Sequence, residues 1–174
     1  MPHKHLSKIK FHFLVKGADF RDRTRLKNFI ITLFKKEGHR LESLNYIFCS
    51  DKYLLSINQT FLFHDYYTDI VTFDQSETKR IVTGEIYISI PRVRENARIY
   101  KQSFDSELRR VISHGILHLM GYSDKTTAQK AKMRMKEEAC LSLWKEGSTW
   151  NEPFNCRVSF TWNRHKKRCF QNTM

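Results

Sequence analysis

Cysteine is scarce in this chain and badly placed for the usual cysteine chemistry. Cys49, Cys140, Cys156 and Cys169 form no CxxC pair and no dense framework. That excludes a cysteine-built zinc site and a disulfide scaffold, and points to reduced thiols in a cytosolic, cytoplasmic setting. Long apolar runs are absent too, so no membrane span is expected. The patch from Phe11 to Val15 is short and flanked by Lys10 and Lys16, unlike the apolar core of a signal peptide. With only three prolines and six glycines in 174 residues, the chain stands apart from collagen-like and low-complexity sequences, and no internal repeat is evident.

Acidic residues are the other shortfall. Asp plus Glu number 18 against 31 Lys plus Arg, a net charge of +13, and this sign favours a polyanionic partner such as nucleic acid. Charge alone names no activity, because a well-solvated basic surface gives the same sum. The length suits one domain and is too short for two ordinary ones. We therefore read residues 1–146 as a single domain and 147–174 as a loosely ordered basic tail, in which Phe160, Trp162 and the run Arg164 to Arg168 lack periodicity.

What is present reads as α+β. Ile9, Phe11, Phe13 and Val15 alternate with less apolar neighbours, the period of two that a half-buried strand requires. Leu26, Phe29, Ile30, Leu33 and Phe34 recur at steps of three and four, one buried stripe of a helix over Asp22 to Lys36 that Gly38 ends. A second strand is predicted over Ser43 to Ser50, followed by a helix capped by Asp51 and running to about Phe61. Ile70 to Phe73 and Gly84 to Ile90 are rich in β-branched and aromatic residues and read as two more strands. Helices follow from Pro91 to about Lys101, from a cap at Ser103 or Asp105 through Leu119, and from Thr127 to Leu143. The sum is a mixed sheet of about four strands with about five helices.

The chemistry sits in Ser113 to Asp124, read as HxxxHxxGxxD. Histidines at i and i+4 share one helix face, with Cβ atoms roughly 6 Å apart. Gly121 can take the left-handed conformation that stops the helix and turns the chain back, bringing Asp124 towards the same point. His114, His118 and Asp124 are ligands that zinc accepts, and three protein ligands leave a place for solvent, as catalytic sites require. The expected reagent is a zinc-bound water of lowered pKa. An isolated HxxxH pair is more often two hydrogen-bonded surface residues; the glycine stop, the acid and the surrounding Ile112, Ile116, Leu117 and Leu119 are what favour a metal.

HGILHLMGYSD resembles the HGxLHLxGYxH motif of the YbeY family of endoribonucleases, with Asp124 standing where that family usually has a third histidine. Asn58-Gln59-Thr60-Phe61 followed by Asp65, then Thr68 to Phe73, then Gly84 to Ser89 resemble the family's other signature blocks in order and spacing. The likeness covers roughly residues 8 to 145. It implies a single-strand-directed endoribonuclease with one zinc ion, acting in ribosomal RNA maturation with single-stranded RNA as substrate and the small ribosomal subunit as a further partner. Two positions depart from the pattern: Asp124, and Leu62 where many members carry an arginine. His64 is the candidate to replace that charge, and Arg92, Arg94, Arg98, Arg109 and Arg110 are the candidate nucleic-acid contacts. Thr68 and Asp69 are read as turn and strand-entry residues satisfying local backbone groups.

Two rivals follow from the same residues. A zinc peptidase of the HExxHxxGxxD type needs a glutamate beside the first histidine, and Gly115 stands there. An RNA- or ribosome-binding module with a structural metal needs no open coordination place, which this three-ligand set leaves.

Overall fold

The computed structural model describes residues 8–16 and 22–146; the expectation for the 147–174 tail lies outside them. The chain runs β1 (Lys8–Phe13), α1 (Arg23–Lys36), β2 (Arg40–Cys49), α2 (Asp51–Leu62), β3 (Ile70–Asp74), β4 (Ile81–Ser89), α3 (Ile90–Ile99), α4 (Phe104–Leu119) and α5 (Thr127–Glu146). The four strands form one sheet in the order β1-β2-β4-β3. β1 pairs with β2 and β2 with β4 in parallel, while β3 runs antiparallel to β4, so the sheet is mixed.

The alternation along the strands sorts side chains between two faces. Ile9, Leu44, Tyr46, Phe48, Ile86 and Ile88 form one apolar layer with Leu26, Phe29, Ile30 and Phe34 of α1 and Val111, Ile112 and Ile116 of α4. The other face is thinner: Val71 and Cys49 with Leu54 of α2, flanked by Ile57, Phe73 and Tyr87. Burial pushes the Cys49 thiol up to about 12 and the Cys140 thiol up to about 11, so neither is a nucleophile at neutral pH.

Two local expectations shift. Ser50, not Asp51, caps α2, its side chain accepting from Tyr53 N–H. Asp51 instead accepts from the Ser89 hydroxyl and from Arg92, the latter at 2.7 Å, tying the start of α2 to α3. β4 begins at Ile81, three residues before Gly84, and gives up Ile90 to α3, because the Ser89 side chain accepts from Arg92 N–H and caps that helix. On α5 the methionines part: Met133 is buried and Met135 is exposed. The buried stripe of that helix runs Met133, Glu137, Cys140, which puts Met135 on the outer face.

Two glycines set how close α4 comes to the sheet. A Cβ at Gly84 would lie 2.8 Å from Leu119 Cδ2 and 2.8 Å from the Phe73 carbonyl oxygen, and one at Gly115 would lie 2.7 Å from Ile70 Cδ1. Both are places where only hydrogen fits without repacking. The consequence is a helix pressed onto β3 and β4, with the residue after His114 facing the sheet.

Candidate metal centre

α4 is built to end at a fixed point. Ser103 caps its N-terminus by accepting from Ser106 N–H, and Asp105 and Glu107 sit in its first turn, where the helix dipole favours negative charge. At the other end Gly121 adopts φ +87; its N–H donates to His118 O, and Tyr122 N–H donates to Leu117 O. This pair of bonds is the Schellman stop. It reverses the chain and returns Asp124 to the face that carries His114 and His118.

The three predicted ligands converge: one ligand atom from each of His114, His118 and Asp124 lies within 4.8 Å of the others. The two Nε2 atoms are 2.9 Å apart. Asp124 Oδ2 is 3.7 Å from His114 Nε2 and 3.8 Å from His118 Nε2. Ligand atoms about 2.1 Å from one ion at tetrahedral angles lie ~3.4 Å apart, and the three separations bracket that figure.

The histidine tautomers carry the argument further. His118 Nδ1 lies 3.0 Å from the Tyr122 carbonyl oxygen, which can only accept, so Nδ1 holds the proton. His114 Nδ1 lies 2.6 Å from Glu137 Oε1. Burial raises the pKa of the Glu137 carboxyl, but the hydrogen bond from His114, helped by Arg110, outweighs it and holds it below the ordinary range. An ionised carboxylate also accepts, so His114 Nδ1 donates. Both Nε2 lone pairs therefore point at each other across 2.9 Å with Asp124 beside them. Three facing lone-pair donors repel unless a cation sits between them, and the donor set fits a divalent ion of the zinc class. Burial lowers the pKa of His118 against the smaller pull of Asp124, which keeps it a neutral ligand.

The supports of these ligands were not read from sequence. Glu137 is 6% exposed and shares its carboxylate between His114 and Arg110, the latter at 3.4 Å. Arg110 also binds Glu107 at 2.7 Å and reaches Asp69 at 3.5 Å, while Asn96 donates to Asp69 at 3.2 Å. Asp69 thus joins the start of β3 to the helix one turn before His114, a larger role than satisfying its own turn. On the other side, Tyr122 donates to Glu37 at 2.6 Å, and Lys136 donates to both Glu37 oxygens at 2.7 and 2.9 Å. That anchors the residue whose carbonyl orients His118. Lys136 and Glu137, neighbours on α5, so serve the two histidines separately. The available signal was a glutamate falling on the same stripe as Met133 and Cys140, since an unpaired acid is rarely buried.

The remaining candidates do not gather at these three ligands. His64 Nδ1 lies 3.1 Å from the Tyr66 hydroxyl and its ring stacks on Tyr66. Arg92 is held by Asp51 and Glu95 and lies over the Tyr67 ring. Arg94 lies over Phe104 and Arg109 over Trp144, and Arg98 is exposed in the last turn of α3. Arg110 is turned inward to the carboxylates just described. The peptidase rival fails on geometry: a side chain at position 115 would meet Ile70 and Ile86 of the sheet, not the ligand cluster. No helix among the described residues is long and apolar enough to cross a membrane.

Comparison with known proteins adds an independent line. The profile of the Endoribonuclease YbeY family matches residues 16–145. A protein named Endoribonuclease YbeY from Cytophaga hutchinsonii is 54% identical over 125 residues, covering 72% of this chain and 87% of that protein. Its namesake from Flavobacterium psychrophilum is 46% identical over 136 residues, covering 78% and 96%. The solution structure of TM1509 from Thermotoga maritima superposes with a TM-score of 0.55 at 32% identity, covering 86% of this chain and 99% of that one.

Proposed function

The chain belongs to the Endoribonuclease YbeY family, and from that premise we propose that it cuts single-stranded RNA with one zinc ion held by His114, His118 and Asp124, in the maturation of ribosomal RNA. Residues 1–146 act as the catalytic domain in this reading, 147–174 as a basic extension, and the setting is cytoplasmic. The observation that carries it is the pair of Nε2 lone pairs 2.9 Å apart, each fixed in direction by an acceptor at its own Nδ1.

The protein's part in the chemistry is orientation and charge. Glu137 and the Tyr122 carbonyl keep the Nδ1 protons in place and the Nε2 atoms bare. Asp124 supplies negative charge from a loop whose side chain is 41% exposed, leaving that side of the cluster open to an incoming strand. A divalent ion bound there supplies Lewis acidity to a phosphodiester and lowers the pKa of water. Arg98, exposed in the last turn of α3, is available to offset phosphate charge, whereas Arg110 serves the ligands.

Metal content measured by mass spectrometry should give about one zinc per chain, in line with a three-residue catalytic site, and close to none in His114→Ala. Cleavage of single-stranded RNA should stop on chelation and return with zinc. Cutting that survives both the chelator and His114→Ala would remove the metal from the reaction.

A further inference from the structure

Exposed apolar surface on this molecule is concentrated. Of the large hydrophobic side chains that are exposed among the described residues, Tyr53, Phe61, Leu62, Phe63, Tyr66 and Tyr67 all come from α2 and the loop that follows it. Side chains scattered singly need no explanation, but a cluster of this kind marks a binding surface. Phe63 is the extreme case, 90% exposed with φ +56, a left-handed conformation that a bulky residue rarely takes. The turn itself ends α2, with Phe63 N–H donating to Asn58 O, but that stop needs no ring and glycine or asparagine would make it at less cost.

The loop is nonetheless firmly built. Asn58, 2% exposed, donates from its side chain to Tyr66 O at 2.9 Å, and its carbonyl accepts from Phe63 N–H and His64 N–H. Gln59 donates to Asp65 at 2.6 Å. Tyr66 and His64 lie nearly parallel, their centroids 5.1 Å apart and their planes at 24°. Tyr67 carries the Arg92 guanidinium 5.1 Å from its centroid. The segment then enters β3 through Asp69, which meets Arg110 one helical turn before His114. Tyr66 lies three positions before Asp69, a span of at most ~11 Å, so the rings are tethered by a short stretch to the residue that Arg110 joins to the histidine-bearing helix.

We propose that Phe63 and the Tyr66–His64 pair form a stacking ledge for unpaired bases of the RNA strand being cut. Flat rings fixed in place, with a cation alongside, suit bases exposed in a single strand and offer nothing to bases paired inside a duplex. His64 then acts through its ring face rather than as a substitute for the charge that Leu62 lacks. The inference rests on the nuclease reading above and adds to it which part of the substrate is held, and by what.

The test is steady-state cleavage of a short single-stranded RNA by the zinc-loaded full chain. Phe63→Gly and Tyr66→Ala should each raise KM about tenfold with kcat within about twofold, in line with the worth of one base–ring stack. The slope of log KM against log salt should not change, since no charge is removed. Phe63→Trp should restore KM, and Phe63→Gly should raise Tm, because glycine suits φ +56. An unaltered KM in Phe63→Gly, or a loss that Phe63→Trp fails to restore, overturns the ledge. So does sedimentation showing a wild-type dimer that Phe63→Gly dissolves, which would make a second copy the occupant. A wild-type chain that cuts no RNA brings down the nuclease reading and the ledge with it; one that cuts equally well in every variant brings down the ledge alone.

Discussion

The candidate metal centre and the α2–β3 loop are joined through Asp69 and Arg110 and are built on opposite plans. At the metal centre each histidine has its far nitrogen pinned, His114 by Glu137 and His118 by the Tyr122 carbonyl, and each pin is itself held, by Arg110 or by Glu37 and Lys136. On the loop one buried residue, Asn58, holds the backbone and the rings are left to solvent. An ion tolerates little error in donor position, so its ligands gain from layers of support. A polymer of varied bases is better met by faces that accept any of them.

Glu137→Gln should sharpen the contrast most. With the His114 proton no longer held by an anion, metal affinity should fall about 10–100-fold, read by competition with a chromophoric chelator, while KM for RNA at saturating zinc stays put. Asn58→Ala is the converse. It leaves the Tyr66 carbonyl without its donor and should cost ~1–2 kcal/mol of stability by urea titration and raise KM, with zinc content unchanged. If each substitution moved both quantities, the two regions would be one unit and the comparison would break.

The smallest effect belongs to Glu37, which supports the centre from outside. Burial raises the pKa of its carboxyl, but hydrogen bonds from Lys136 and Tyr122 outweigh that and set it below 4.5. A depressed acid adds stability above its unfolded pKa and loses it as pH falls through the folded value. Wild type should therefore exceed Glu37→Gln by up to ~1 kcal/mol near neutral pH, given solvent screening, with the gap closing as pH falls through the lowered Glu37 pKa. A gap that widened in acid would show the sign to be wrong.

Local physics explains which parts were legible beforehand. His114, His118, Gly121 and Asp124 lie within eleven residues, and helix periodicity plus a glycine stop is enough to bring them together. The strands and helices followed from alternation and stripe, and the mixed sheet from their order. Ends were harder, because Ser50 and Asp51 are both good capping residues and only the pull of Ser89 and Arg92 on Asp51 separates their roles. Glu137 showed only as an acid on a buried stripe and Glu37 not at all, and neither partner could be named: they lie 23 and 85 residues away in sequence, and no periodicity reports on such distances. Among the arginines, charge counts do not distinguish Arg110, facing carboxylates, from Arg98, facing water.

Lys136 and Glu137 sit side by side on α5, after all three ligands in chain order. During synthesis the two histidines and the aspartate emerge before either side chain that steadies them. Until that helix docks, the motif is complete in letters but loose in space. The same ordering makes α5 a checkpoint: a chain broken before Lys136 keeps its signature yet lacks the partners that steady both imidazoles.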